Sequence, residues 1–112
     1  MFSRELVAAS ARPLLLSILA EGENYGYALA QRARSLSQGE VQWTDGMLYP
    51  VLHRLEEEEL IASEWRESET GRERKYYRLT QSGRRALAKE KAQWLAAHNT
   101  LAQLWNLPPI LT

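Results

Sequence analysis

Residues 44–60, TDGMLYPVLHRLEEEEL, form the segment from which the rest of the fold can be predicted. Four apolar residues recur at the i, i+3, i+4, i+7 spacing of one helical face, and Thr44 has the short oxygen side chain that is typical of a helix N-cap. The apolar four are Leu48, Val51, Leu52 and Leu55. They leave the opposite side of the helix to Gly46, Tyr49, Pro50, His53 and Arg54. We therefore expect a helix with one buried stripe, whose outer face is the first candidate for a functional surface.

The composition is that of one ordinary globular unit. The 112 residues are 45% hydrophobic and 25% charged, and the four Trp and five Tyr exceed what a small core needs, so some aromatic surface is expected to serve a partner. The absence of Cys excludes disulfides, thiolate catalysis and cysteine-ligated zinc. The longest apolar run, residues 13–20, is too short to cross a bilayer, and no secretory signal is visible. A cytoplasmic protein with no membrane partner is therefore predicted.

The charges are balanced overall but unevenly distributed. Fourteen basic and fourteen acidic residues give a net charge of zero, which is not the usual signature of a nucleic-acid-binding domain. Six basic residues nevertheless fall within fourteen positions: Arg72, Arg74, Lys75, Arg78, Arg84 and Arg85. Acidic residues precede them at Glu56, Glu57, Glu58, Glu59, Glu64, Glu67 and Glu69. We expect a basic edge beside an acidic one, and phosphate attraction depends on the local field.

The segments before residue 44 predict two helices and a short strand. Residues 6–20 and 25–36 are expected to be helical, with a turn between them. Pro13 removes one backbone donor and is expected to kink or restart the first helix near Arg12. Polar and apolar residues alternate over residues 40–43, which predicts a very short strand leading into the Thr44 cap.

The segments after the central helix predict a β-hairpin. Residues 60–65 and 75–79 are the expected strands, and Gly71 lies in the polar tip between them, where the chain must reverse. Three helices followed by a hairpin with a charged tip make a winged helix-turn-helix. The predicted fold class is therefore mainly α with a small β-hairpin, followed by a long C-terminal helix.

The last helix is expected to run from Gln81 or Ser82 to Leu107, before two prolines end it. One stripe follows a 4-3 heptad rhythm and consists of Leu87, Lys91, Trp94, His98, Leu101 and Trp105. A second stripe consists of Ala88, Ala92, Leu95 and Ala102. One stripe can pack on its own domain, so the other predicts a homodimer. The expected organisation is a winged helix-turn-helix at residues 1–80, a dimerisation helix at residues 81–107 and a tail at residues 108–112.

Three motifs carry a resemblance to a known family. Residues 44–61 follow the pattern of a small polar residue and then xLYPxLxRLExxGLI, while YGYALAQ at residues 25–31 and GRERKYYRLTQSGRRAL at residues 71–87 match two further signatures in the same order. The sequence therefore resembles the PadR family of bacterial winged-helix transcriptional regulators. The resemblance implies binding to double-stranded DNA and dimerisation of the last helix against the partner's first helix.

The glutamate run departs from the family pattern at Glu59, where Gly is usual. Either the helix continues to Leu60, or Glu59 adopts a strained left-handed cap. The run opposes the helix macrodipole, so it is expected to form a solvated face. A metal site of His53 with Glu56 or Glu57 has acceptable spacing, but one His and glutamates are a weak signal and no metal is predicted.

Nine residues are candidate DNA contacts. On the wing, Arg and Lys side chains neutralise phosphates, although such clusters are also common on solvated hairpin tips. On the helix, Tyr49 suits sugar and phosphate and His53 suits a base edge, while Tyr49 also lies where it would pack at the core margin under the wing. The candidates are Thr44, Gly46, Tyr49, Pro50, His53, Arg54, Arg72, Arg74 and Lys75.

Five residues of the last helix are candidates for dimer or ligand contact: Leu87, Trp94, His98, Leu101 and Trp105. By its offset from the RLT motif, Trp94 matches the position where multidrug-responsive members of the family place a tryptophan pair that holds flat ligands across the dimer axis. The resemblance therefore implies a planar aromatic effector. The alternative is that Trp94 is an ordinary packing residue of the dimer core.

No catalytic set is visible. Two His, no Cys and no Gly-rich phosphate loop leave nothing to organise nucleophilic or phosphoryl chemistry, so no enzyme activity and no cofactor are expected. The predicted function is a dimeric transcriptional repressor that binds a pseudo-palindromic operator, with a ligand response only if Trp94 is an effector contact rather than a packing residue. The alternative is a winged-helix protein-interaction module without DNA binding, which the zero net charge and the acidic run favour.

Overall fold

The computed structural model describes residues 1–110, which form four helices and one three-stranded antiparallel sheet. The helices are α1 (Arg4–Glu21), α2 (Gly26–Leu36), α3 (Asp45–Glu57) and α4 (Gln81–Trp105). The strands are β1 (Asn24–Tyr25), β2 (Ile61–Glu67) and β3 (Glu73–Leu79). The arrangement is a winged helix with a long C-terminal helix, as predicted. No helix in residues 1–110 combines the length and the apolar character that crossing a bilayer requires.

The core lies between the first three helices and the base of the sheet. On α3 the predicted stripe is confirmed, because Leu48, Leu52 and Leu55 are buried and Val51 packs at the edge of the core. The other fully buried large side chains come from α1, α2, the following loop and β2: Leu15, Leu16, Leu19, Leu29, Val41 and Ile61. Since α3 buries one face completely, its other face is free to meet a partner.

The wing is a regular hairpin of β2 and β3, with Ile61 opposite Leu79 and Glu67 opposite Glu73. Gly71 closes the tip with φ 82°, a left-handed conformation that glycine adopts without strain. Successive side chains of a strand point to opposite faces, and Tyr77 is buried towards the core. The face that Tyr77 shares with Trp65 is therefore turned towards α3.

The strand predicted at residues 40–43 is wrong. Val41 is buried in a loop there, and its N–H donates to the Ser37 hydroxyl at 2.8 Å. The third strand is instead β1, which pairs with β3 where a turn and the start of a helix were expected. Alternation of polar and apolar residues indicates which side chains are buried, but it does not show that a neighbouring strand is present. The buried loop residue Val41 therefore produced the same pattern as a strand.

Pro13 does not restart α1, because the helix continues without interruption from Arg4 to Glu21. The Ser3 hydroxyl caps its first turn by accepting a hydrogen bond from the Leu6 N–H at 3.1 Å. Proline inside a helix removes one backbone hydrogen bond. Residues on both sides of Pro13 in the sequence, such as Ala11 and Leu15, are buried in the core, and this packing keeps the helix continuous.

The α3 helix ends at Glu57, so the strained-cap alternative for Glu59 is the correct one. Glu59 has φ 61°, its N–H donates to the Glu56 carbonyl at 2.9 Å, and the Leu60 N–H donates to the Leu55 carbonyl at 3.0 Å. This pair of hydrogen bonds is a Schellman motif. The usual glycine position is occupied by a residue with a Cβ atom, which costs conformational energy.

Thr80 joins the end of β3 to the start of α4. Its hydroxyl lies 2.7 Å from the Glu59 carbonyl oxygen, and the same hydroxyl oxygen accepts from the Gly83 N–H at 3.0 Å. Its backbone N–H donates to the Leu60 carbonyl at 3.0 Å. A single threonine therefore caps α4 and fixes it to the end of α3.

Candidate nucleic-acid interface

A groove of about 710 Å³ runs between the outer face of α3, the start of α2 and the wing. Its lining combines aromatic rings with cations, and the sequence-predicted residues Tyr49, His53, Arg72, Arg74 and Lys75 all contribute. Sequence reasoning missed six further lining residues of the same groove: Tyr25, Gly26, Tyr27, Trp65, Glu73 and Tyr77. The groove forms because β1 is only two residues long, which leaves the β3 edge nearer the tip uncovered on that side.

Tyr49 lies partly in this groove and partly against α2. Its side chain is 38% exposed, and its hydroxyl is 2.5 Å from the place that a Cβ atom on Gly26 would occupy. Glycine is therefore required at position 26 for Tyr49 to pack there. The sequence left open whether Tyr49 is a surface contact or a packing residue. Both roles apply in part, because the ring packs on α2 and one of its edges stays exposed.

The start of α3 is exposed. Thr44 occupies the N-cap position, and its carbonyl accepts hydrogen bonds from the N–H groups of Met47 and Leu48. Its hydroxyl makes no capping hydrogen bond within residues 1–110. Gly46 and Pro50 are also exposed. A Cβ atom added to Gly46 would approach only the Thr44 hydroxyl, at 3.9 Å, so no packing in the described chain requires glycine at that position.

Arg54 lies on a different side of α3 from the wing. It lines a separate cleft of about 330 Å³ between α1 and α3, together with Trp43 and Arg12. The predicted helix residues are thus divided: Tyr49 and His53 meet the wing, while Arg54 faces the N-terminal helix. A helical wheel placed all three on one surface because it did not include the neighbouring elements.

The three predicted wing cations have different surroundings. Arg72 is exposed at the tip, and the Arg74 guanidinium lies 4.3 Å from the centre of the Tyr25 ring. Lys75 has its Nζ 3.7 Å from Glu56 Oε1, so part of its charge is neutralised. The two arginines therefore supply most of the positive charge of the groove, and the Glu73 carboxylate in its lining opposes them.

The glutamate run is exposed at Glu57, Glu58 and Glu59, as expected, but two of its members also make defined contacts. Glu56 accepts a hydrogen bond from the Ser63 hydroxyl and pairs with Lys75, joining α3 to both wing strands. Glu58 accepts two hydrogen bonds from Arg12, at 2.8 and 3.1 Å, and the pKa of its carboxyl group is lowered chiefly by those bonds. Arg12 also donates to Glu90 of α4 at 2.9 Å.

Burial raises the pKa of Tyr77 to about 12, and the nearby Tyr49 and Glu56 add to the shift. The hydroxyl at the back of the groove therefore stays protonated at any physiological pH. A neutral phenol is a hydrogen-bond donor, and it adds no negative charge that would oppose an anionic partner.

Trp65 is the largest exposed side chain of the groove that the sequence analysis did not select. Its side chain is 65% exposed, on the wing face directed at α3, and Tyr27 at the start of α2 is 66% exposed. The surplus of aromatic residues was the available signal. The positions did not follow from it, because they depend on how the wing folds back over α3.

The candidate dimer and ligand residues occupy the opposite part of the molecule. Leu87, Trp94 and His98 line a cleft of about 490 Å³ between α1 and α4. Leu101 and Trp105 lie further along α4 and are exposed, Trp105 to 60%. Residues 1–110 hold no cluster of three or more His, Asp or Glu side chains suited to a metal ion.

A winged helix with an exposed α3, a basic wing and a long final helix defines a helix-turn-helix regulator class, and comparison with known proteins places the chain within it. The sequence matches the Transcriptional regulator PadR-like family over residues 15–89. The chain belongs to that family. It is a PadR-like transcriptional regulator and, like its relatives, not an enzyme.

Individual relatives agree with this assignment. Transcriptional regulator Rv3488 of Mycobacterium tuberculosis is 40% identical over 88 residues, which is 79% of this chain and 78% of the relative. A solved transcriptional regulator from Clostridium thermocellum superposes with a TM-score of 0.83 at 25% identity, covering 92% of this chain and 97% of its own. A PadR family regulator from Eggerthella lenta gives a TM-score of 0.76 at 38% identity, with 90% and 86% covered.

Proposed function

We propose that this regulator is a dimeric repressor that binds a pseudo-palindromic operator. The observation that carries the proposal is the groove in which the exposed face of α3 meets the basic wing. In winged helices of this geometry, a helix enters the major groove while neighbouring cations neutralise phosphates. The division of labour proposed is base contact by α3 and phosphate contact by the wing.

Individual roles follow from the surroundings of each side chain. His53 and the exposed edge of Tyr49 face the groove from α3 and are proposed to reach base edges and sugar. Thr44, Gly46 and Pro50 lie at the exposed start of the helix. Because nothing in the described fold requires glycine at position 46, we assign it to a close approach of the DNA backbone.

The phosphate contacts are assigned to Arg72 and Arg74, with a smaller contribution from Lys75 because Glu56 already neutralises part of its charge. Arg54, on the α1 side of α3, is proposed to contact phosphates on the flank opposite the wing. Trp65 adds an exposed apolar ring beside these cations, suited to lie against a deoxyribose.

The homodimer is proposed from the apolar surface of α4. Trp94 is 40% exposed, and the surface continues through Leu101, Leu104 and Trp105. Contiguous apolar surface of this kind usually marks an interface, and a second copy of the chain is the simplest cover. We therefore propose that residues 1–80 bind DNA and residues 81–107 join two protomers, leaving residues 108–112 as a tail, of which residues 111–112 lie outside the described range.

A planar aromatic effector is proposed for the cleft between α1 and α4. Trp94 offers an indole face there, beside Lys91 and His98. Two such rings near a dimer axis would stack on a flat ligand. A ligand regulates DNA binding only if it binds the two dimer geometries unequally.

Family membership also supports a cytoplasmic location for this protein.

The test is binding of a fluorescent duplex from the gene's own upstream region, measured by anisotropy over a range of salt concentrations. Replacing Arg72, Arg74 and Lys75 with Ala is expected to weaken binding to every sequence. The slope of log affinity against log salt should fall by roughly 0.9 for each phosphate that the protein no longer neutralises. His53→Ala is expected to change sequence preference more than general affinity.

The matched control removes three basic residues of the first half of α4, Arg84, Arg85 and Lys89, all of them exposed. They lie roughly 20 Å from the wing tip, since the seven residues of β3 separate the two regions. The control should keep most of the affinity. A wing variant with unchanged affinity and salt slope would overturn the wing assignment, and a native protein that binds no upstream DNA would favour the protein-interaction alternative.

A further inference from the structure

The face of the wing opposite Trp65 and Tyr77 carries two arginines that lie directly across the strands from each other. Arg66 on β2 and Arg74 on β3 are cross-strand partners. Like charges in this position repel, so the pair requires compensation. The two guanidinium groups turn apart, and each lies over a different tyrosine ring: Arg66 over Tyr76 at 5.0 Å and Arg74 over Tyr25 at 4.3 Å.

Only one of the two arginines is neutralised. Arg66 donates to both Glu23 and Glu64, and the pKa of its guanidinium is raised chiefly by the hydrogen bonds to Glu23. No carboxylate of residues 1–110 lies within ion-pair distance of Arg74. Arg66 therefore belongs to the fold, whereas Arg74 keeps a free positive charge that lines the groove.

The ring under Arg74 is fixed from two directions. Tyr25 pairs with Tyr76 through the β1–β3 ladder, and the two rings meet edge to face with their centres 5.6 Å apart. Tyr25 is also the N-cap residue of α2. Tyr25 is therefore held by the sheet and the helix, and its ring lies under the guanidinium of Arg74.

We propose that Tyr25 is a positioning residue that holds Arg74 ready to bind a backbone phosphate, an inference that rests on the proposed DNA binding. Stacking on a ring face occupies the plane of the guanidinium and leaves its N–H edges free. Those edges form the fork that binds a phosphate bidentately. Lysine has no planar group to stack, so Arg74→Lys would keep the charge and lose the orientation.

A double-mutant cycle between Tyr25 and Arg74 tests the inference. Tyr25→Leu keeps an apolar side chain in β1 but removes the ring, and it is expected to weaken duplex binding by about threefold to fivefold per half-site. In the Arg74→Gln background the same change should have no further effect. Tyr25→Phe retains the ring and should bind like the native protein.

Two readouts separate positioning from a structural role. Arg74→Gln should reduce the salt slope by roughly 0.9 per half-site because one phosphate is no longer neutralised, whereas Tyr25→Leu should change the slope less because the charge remains. Arg84→Gln is the matched control, because it removes an exposed arginine of α4 that does not line the groove, so affinity and slope should stay close to native values. Thermal unfolding of each variant verifies that it is folded.

The outcomes distinguish this inference from the proposed function. If the native chain binds its duplex but Tyr25→Leu weakens binding equally with and without Arg74, Tyr25 supports only the fold and the inference is overturned. If Arg74→Lys binds as tightly as the native chain, the stacked orientation has no role. A native chain that binds no duplex would overturn the proposed function itself, and the inference with it.

Discussion

Replacing Glu59 with Gly is expected to stabilise the protein. Glu59 has φ 61° in the turn that ends α3, where the Cβ atom of an L-residue lies too close to the backbone. The hydrogen bonds of the motif, from the Glu59 and Leu60 N–H groups and to the Glu59 carbonyl, all involve backbone atoms of residue 59 or its neighbours. Glycine can therefore form every one of them without the strain.

The expected gain is about 1 kcal/mol. A left-handed conformation costs an L-residue roughly 1–2 kcal/mol. The extra freedom of glycine in the unfolded chain offsets about 0.4–1 kcal/mol of that. Removing a negative charge from the C-terminal end of α3, where the macrodipole is unfavourable for it, returns a few tenths of a kcal/mol, roughly the low end of the usual range. A change of this size raises the melting temperature by about 4 °C for a domain of this length.

The assay is urea unfolding followed by tryptophan fluorescence at fixed protein concentration, since dimerisation would couple stability to concentration. Glu59→Ala is the control, because it removes the charge but keeps a Cβ atom. Glu59→Gly should exceed Glu59→Ala by about 0.7 kcal/mol in the free energy of unfolding, because both variants remove the charge and only glycine relieves the strain. Equal stabilities for the two variants, or a glycine variant less stable than the native chain, would refute the strained cap.

Three further changes test the packing and the titrating groups. Gly83→Ala places a Cβ atom 2.0 Å from the Leu60 carbonyl oxygen, so it is expected to destabilise by at least about 2 kcal/mol in urea unfolding, and native-like stability would contradict that close approach. Because the pKa of Tyr77 is raised to about 12 from an ordinary 10, its burial stabilises the fold below pH 10, and that stability is lost as the pH rises towards 12. Absorbance titration at alkaline pH should show one late tyrosine that is missing in Tyr77→Phe. The pKa of Glu58 is lowered by Arg12, so its contribution is present above its ordinary pKa of 4.5 and lost on acidification. Glu58→Gln should therefore reduce the loss of unfolding free energy between neutral and acidic pH. An unchanged loss would show that the Glu58–Arg12 pair does not cause it.

Local periodicity predicted the parts of the fold that depend on neighbouring residues. The stripe of Leu48, Leu52 and Leu55 requires only 3.6-residue spacing, and it is buried as expected. The hairpin followed from two strands and a Gly-containing tip. By contrast, β1 consists of two residues whose partners, Tyr77 and Tyr76, lie far along the chain, so no local pattern could reveal it.

The candidate site was predicted in outline, and its internal geometry was not. The motifs named His53 and Arg74, yet the position of the ring under Arg74 depends on Tyr25 meeting β3, which is a tertiary contact. Likewise, the glutamate run gave no sign that Glu56 would pair with Lys75. Long side chains choose partners only after the backbone is arranged, so their contacts do not follow from spacing alone.

We propose that two copies of the groove between α3 and the wing bind one DNA site. Hydroxyl-radical footprinting of the upstream DNA tests it most directly. We predict two protected patches related by approximate two-fold symmetry, with centres about one helical turn, roughly 10 base pairs, or a whole number of turns apart. Both patches should disappear with the Arg72, Arg74 and Lys75 variant at a concentration where the native chain protects fully. A single patch, or protection that survives removal of the wing cations, would contradict the claim.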